Sequence, residues 1–181
     1  MVALWGPSTV ASVGDIAPIP IPLALGVPGL GAPIVTATGL QLVTLGDMDF
    51  VVDGTPVDFS KVWTYKGLAY SDVPNLVSTF GYINASWTLK ADLTAEYSCR
   101  LLNHMAETGM RQCTPRLQEQ DMVGEDWIGG FSSGYIQRKM HLLPKQGTKS
   151  PWLNTQNYAL DKKVIREGPI EDGVLQFTHK D

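Results

Sequence analysis

Between residues 89 and 105 an apolar side chain returns at every fourth position: Leu89, Leu93, Tyr97, Leu101 and Met105. That period draws one apolar stripe down a helix. The opposite face carries Lys90, Asp92, Glu96, Arg100 and Glu107, with Glu96 and Arg100 spaced to pair one turn apart. Asn84 or Ser86 can cap the start by accepting from a free backbone N–H. His104 falls near the last carbonyls, and Gly109 suits a left-handed stop. Just upstream, Leu76-Val77-Ser78-Thr79-Phe80 reads as a buried strand that turns through Gly81 into the helix.

The remaining pattern alternates short strands with helices, which makes the chain α/β. Ile34-Val35-Thr36-Ala37-Thr38-Gly39 is a short β-branched strand ending at glycine. Asp53-Gly54 between Phe50-Val51-Val52 and Thr55-Pro56-Val57 is a hairpin signal, because both central residues tolerate positive φ. Pro74-Asn75 is a turn ahead of the 76–80 strand. Residues 111–126 are polar and read as a surface loop. Residues 127–131 with 135–143 suggest a second, shorter helix ending before Pro144. Pro151-Trp152 to Tyr158, then Leu160 to Glu167, reads as a last docked helix or arm, and Asp172-Gly173 turns the chain into Val174-Leu175-Gln176-Phe177.

Residues 1–33 stand apart. Six of the twelve prolines lie there, and no charge occurs between Asp15 and Asp47. So long an uncharged run invites a membrane-spanning reading, but the proline spacing would break any helix and no basic region precedes it. Gly26-Val27-Pro28-Gly29-Leu30-Gly31 has its glycines in the wrong order for a dinucleotide loop, and no helical pattern follows. The expectation is an extended apolar leader, disordered or of separate origin, ahead of a unit spanning 34–181.

Composition narrows the chemistry. At 181 residues the chain can bury a core. A formal charge of -4 offers no basic face for nucleic acid. Cys99 and Cys113, with no secretory signal, read as reduced thiols of a cytoplasmic protein, Cys99 as a small core residue beside the apolar stripe. Three scattered histidines lack ligand spacing, and Asp47, Asp49 and Asp53 lack that of a calcium loop, so no metal site is expected.

A strand turning through glycine into a helix start gathers free N–H groups and the positive end of the helix dipole, worth about 0.3–1 kcal/mol to a nearby anion. The alternative is an ordinary crossover capped by Asn84 or Ser86, and most helix starts bind nothing. A resemblance bears on that choice. Gly81-Tyr82-Ile83-Asn84-Ala85-Ser86-Trp87-Thr88-Leu89-Lys90-Ala91-Asp92-Leu93 is similar to a stretch of Baeyer–Villiger-type flavoprotein monooxygenases, in the branch that includes the bacterial ethionamide-activating enzymes. The likeness continues through Cys99-Arg100-Leu101-Leu102-Asn103 and resumes at Leu143-Pro144-Lys145-Gln146-Gly147, Pro151-Trp152, Gln156-Asn157-Tyr158 and Asp161. It covers about residues 34–181.

The resemblance implies the C-terminal part of a flavoprotein with two dinucleotide-binding domains. It also implies FAD and NADPH as cofactors, with a peroxyflavin that oxygenates a ketone or a thioether or amine. Carried over by position, Asn84, Ala85, Ser86, Trp87, Thr88 and Leu89 would contact FAD. The N–H groups of Thr88 and Leu89 would face the N1–C2=O edge of its ring, where reduction places negative charge. Trp87 would wall off the ring or simply pack at the helix start.

The family's two Gly-x-Gly-x-x-Gly motifs and its fingerprint have no match in these residues. The likeness also begins abruptly at Ile34, after Ala32 and Pro33, as a shifted frame or an internal start would produce. The expectation is therefore a truncated member, inactive alone, which self-associates or works with a missing N-terminal half. The other reading is a non-catalytic remnant acting as a small α/β interaction module.

Overall fold

The computed structural model describes residues 43–117, 124–126 and 134–179. The leader at 1–33, the strand expected at 34–39 and the segment 127–131 lie outside them. Among the described residues the architecture is α/β, with two main helices and four two-stranded antiparallel sheets. The detail of two dinucleotide-binding domains is not resolved by these elements.

Strands β1 (Val51–Val52) and β2 (Thr55–Pro56) pair around Asp53 and Gly54, whose φ angles of 48° and 81° are the two positive values such a turn needs. A second hairpin, β3 (Thr64–Tyr65) with β4 (Ala69–Tyr70), turns through Lys66 and Gly67, again at positive φ. Both its strands are buried. The expected strand at 76–80 has no ladder partner among the described residues. It is fastened to the hairpin by Ser78, whose N–H donates to Leu68 O at 2.8 Å and whose hydroxyl meets Tyr70 OH at 2.7 Å.

Helix α1 (Trp87–Thr108) has the period the sequence implies. Leu93, Tyr97, Leu101 and Met105 are buried, and Gly109 closes the helix at φ 70°. Two corrections concern its first turns. Leu89 is only half-buried and Lys90, placed on the polar face above, is 2% exposed. Ser86 is the N-cap, but its side chain bonds Thr88 Oγ1 at 2.7 Å rather than a backbone N–H. The Glu96–Arg100 pair does not form either, because a second helix competes for both groups.

Residues 111–126 are not all surface loop. Strand β5 (Gln112–Pro115) is largely buried and pairs with β8 (Leu175–Thr178), Cys113 facing Phe177 in register. Cys99, expected as a small core residue, is exposed, and Cys113 lies in the core instead. Strand β6 (Glu125–Asp126) pairs with β7 (Lys145–Gln146), and between them in sequence lies the single-turn helix α2 (Gly134–Gln137).

Helix α3 (Tyr158–Glu167) is capped by Asn157, which accepts from Ala159 and Leu160 N–H. It packs on α1 and buries Ile165. The main core joins the 65–69 hairpin, the α1 stripe, Cys113, Trp152, Ile165 and Leu175. It places the N-terminal end of α1 beside the segment that leads into α3.

Candidate functional site

Among the residues expected at the site, Asn84, Ala85, Ser86, Trp87 and Thr88 are exposed together on one turn and Leu89 is half-buried. The structure therefore brings the six into one surface. It does not leave both expected donors free: Leu89 N–H bonds Ser86 O at 3.2 Å, whereas Thr88 N–H has no backbone acceptor among the described residues. No acidic residue lies in the first turn of α1 to occupy its positive end. Trp87 packs its indole on Phe80, with ring centroids 4.9 Å apart, and remains 42% exposed.

Behind this turn lies a buried polar cluster that the periodicity did not reveal. Lys90 Nζ is 2.8 Å from Asp161 Oδ2 and 3.2 Å from Lys66 O. Tyr82 OH donates to the same Asp161 Oδ2 at 2.8 Å, and Thr155 Oγ1 donates to Oδ1 at 2.5 Å. Ile83 N–H donates to Gln156 Oε1 at 3.0 Å. The segment preceding α3 thus buttresses the turn preceding α1. A buried ammonium is tolerated only with such a partner and further hydrogen bonds. Burial, then the bond to Asp161, pushes the Tyr82 phenol well above its ordinary value, so it stays a donor.

A second buried pair shares the Lys66 turn. Lys66 Nζ is 3.0 Å from Asp172 Oδ2, which also accepts from Tyr65 OH at 2.6 Å. Tyr65 OH and Tyr97 OH are 3.2 Å apart, and the Lys66 ammonium lies 4.9 Å and 5.1 Å from the centres of their rings. Burial pulls the Lys66 ammonium below its ordinary value, against Asp172. For Asp172 burial acts upward, but the bonds from Tyr65 OH and Leu175 N–H, with Lys66, outweigh it and hold the carboxyl low. Nothing in the local sequence announces these pairs, since the partners are 71 and 106 positions apart. The signal that existed was Lys90 and Asp161 standing inside the resembling stretches.

Among the described residues no cluster of histidine, cysteine or carboxylate suits a metal ion, and no helix is long and apolar enough to cross a membrane.

No protein-family model matches the chain, and no solved structure gives a significant match. Curated proteins do. The chain is 44% identical over 147 residues, 81% of its length, to a protein of Acinetobacter baylyi described as the probable FAD-binding monooxygenase AlmA. It is 42% identical over 147 residues to the FAD-containing monooxygenase EthA of Mycobacterium tuberculosis, and 43% identical over 145 residues to EthA of Mycolicibacterium smegmatis, covering 81% and 80% of the chain. It spans only about 30% of the length of these relatives (30%, 30% and 29%). Over that shared segment the chain is homologous to the FAD-containing monooxygenases.

Proposed function

We propose that the turn at 84–89 is one wall of the flavin pocket of an FAD-dependent monooxygenase. The observation that carries this reading is the 42–44% identity to FAD-containing monooxygenases over four-fifths of the chain. The geometry fits the group. Asn84, Ala85, Ser86, Trp87, Thr88 and Leu89 form an accessible helix start, Thr88 keeps an N–H without a backbone acceptor among the described residues, and no carboxylate competes in the first turn.

Bound FAD, reduced by NADPH, would supply activated oxygen for insertion beside a ketone carbonyl or for addition to a thioether sulfur or amine nitrogen. The chain's own part is to bind and shield. Thr88 N–H and the aligned peptide dipoles of α1 favour negative charge, without reorganisation at the moment it develops. The half-exposed indole of Trp87 offers an apolar surface that keeps water from one side. Leu89 N–H, already bonded to Ser86 O, holds the turn's shape.

One helix start does not hold a dinucleotide, and these residues contain no glycine-rich phosphate loop to grip the pyrophosphate. The proposed partner is therefore the remainder of the flavin-binding fold, whether on the same polypeptide or another. The test is a flavin absorbance scan of purified protein with and without added FAD, followed by flavin release on denaturation. Yellow protein that gives up flavin, or one that takes up added FAD, supports the reading. Colourless protein that ignores FAD, also when the N-terminal flavin-binding part of a relative is co-expressed with it, overturns it in favour of a non-catalytic interaction module.

A further inference from the structure

One oxygen atom pins both ends of the exposed turn. Asp161 Oδ2 accepts from Tyr82 OH and from Lys90 Nζ, each at 2.8 Å. The residues between these anchors, 83–89, include all six proposed to contact flavin. The start of the turn is held from the same side, by Ile83 N–H on Gln156 Oε1 at 3.0 Å. Asp161 is itself fixed, with Thr155 Oγ1 on its other oxygen at 2.5 Å and its N–H on Asn157 O at 2.9 Å.

This arrangement exceeds what packing requires. α1 and α3 are already joined through Ile165 and the apolar stripe, and by Arg166 to Glu96 at 2.7 Å. The Asp161 cluster adds nothing to that apolar seam. It costs the desolvation of an ammonium and a carboxylate whose side chains are 3% and 9% exposed. What it secures is the register of Tyr82 against Lys90, and hence the direction in which Thr88 N–H points. Gln156 accepts a further local cost, a φ of 48°, at the position that reaches Ile83.

We infer that Asp161 is a positioning residue for the flavin-contact turn: it holds residues 83–89 in their binding geometry through Tyr82 and Lys90, and touches no cofactor itself. The segment 154–161 is then the support of the site, though it comes some seventy residues later in the chain. The inference rests on the flavin reading for what the turn contacts, and stands without it for what shapes the turn.

The test is amide exchange by mass spectrometry on the full chain, read separately for residues 82–89 and 97–108, paired with FAD titration of the chain co-expressed with the N-terminal flavin-binding part of a relative. Asp161→Asn keeps the volume and removes the charge. Tyr82→Phe keeps the ring and the ion pair, and serves where Asp161→Asn does not fold. Exchange at the Ile83 and Leu89 amides is expected to rise about threefold in Tyr82→Phe, with 97–108 changed less than about twofold, and about tenfold more than at 97–108 in Asp161→Asn, where lost global stability raises both segments. FAD affinity should fall by about the same factors. Equal acceleration of both segments, or of neither, overturns the inference. So does a turn that opens while FAD affinity stays at the wild-type value. Wild-type protein that binds no FAD overturns the flavin reading instead, and the exchange data still decide the role of Asp161.

Discussion

Gly81 and Trp87 compete for the same space: a Cβ placed on Gly81 would overlap the Cγ, Cδ1 and Cδ2 atoms of the Trp87 indole. Those atoms lie at the root of the side chain, so small adjustments cannot clear them. Gly81 is therefore needed for room, and its role is to let the indole fold back on Phe80 at the mouth of the turn.

Gly81→Ala should accordingly cost about 1–3 kcal/mol, the range for forcing an extra methyl into a packed site. The indole would swing into solvent and lose Phe80. Urea denaturation measures the cost. In a Trp87→Ala background the same alanine should cost under about 1 kcal/mol, because the group it strikes is gone. Equal costs in both backgrounds would mean that the overlap is not what Gly81 avoids.

The Lys90–Asp161 pair makes a different prediction. Lys90→Met leaves a buried carboxylate with two hydroxyl donors and no cation, and should cost about 3–5 kcal/mol. Asp161→Asn strands the ammonium and should cost a similar amount. The double variant buries no charge, and its amide keeps one oxygen as acceptor for Tyr82 or Thr155, the other hydroxyl turning to accept from the amide N–H. It should therefore be less destabilised than the sum of the two by at least about 1 kcal/mol. Thermal or denaturant midpoints of the four proteins complete the cycle, and simple additivity would show that the two charges do not depend on each other.

These two sites also mark what the sequence could show. The Asp53-Gly54 hairpin, the α1 stripe and the Gly109 stop were legible because each is a local rule: two positive φ angles, a four-residue period, one left-handed residue. Lys90 was misplaced because periodicity assigns a face by position, and only α3, arriving some seventy residues later, makes that face an interior one. Gln112-Cys113-Thr114-Pro115 failed for the same reason. Nothing in the run alternates clearly, and it becomes a strand only when β8 pairs with it across a long separation. Arg100 paired with carbonyls of α3 instead of Glu96 because Arg166 took the Glu96 carboxylate first. The resemblance pointed to the turn at 84–89 as a flavin contact, and the hydrogen bonds from Gln156 and Asp161 around it needed the fold.

Tyr70 gives a pH prediction. It is 4% exposed, its hydroxyl meets Ser78 Oγ at 2.7 Å, and burial pushes its phenol from the ordinary 10.0 up to about 12. A folded-state value above the unfolded one means that the folded protein holds the proton longer. The associated stability is complete below pH 10 and is lost as pH rises from 10 toward 12. Two pH units correspond to about 2–3 kcal/mol. Wild-type stability from urea titrations should thus fall across this interval, and Tyr70→Phe should fall less steeply. Tyr97, pushed up to about 12 chiefly by burial, contributes in the same direction and keeps the variant from becoming flat. An unchanged slope in Tyr70→Phe would rule out the phenol as the titrating group.

The last prediction contrasts two arginines that bridge the same helices. Arg100 sends its guanidinium to two backbone carbonyls, Ile165 O and Gly168 O, the latter at 2.8 Å, where α3 ends and its carbonyls lack partners. Arg166 reaches two carboxylates, Glu96 at 2.7 Å and Asp92 at 3.2 Å, but those carboxylates are 39% and 67% exposed. Water can replace the acceptors that Arg166 loses and is less able to solvate the partly buried helix end that Arg100 covers. Arg100→Ala should therefore cost about 1.5–3 kcal/mol, the range for hydrogen bonds to a charged group. Arg166→Ala should cost about 1 kcal/mol or less and lose even that in high salt. Arg100→Lys should recover less than half of the loss, because a single ammonium cannot span two carbonyls with the geometry of the fork. Denaturant midpoints at low and high salt separate the two cases: a salt-sensitive Arg100 or a salt-insensitive, costly Arg166 would reverse the assignment of which contact holds α3 to α1.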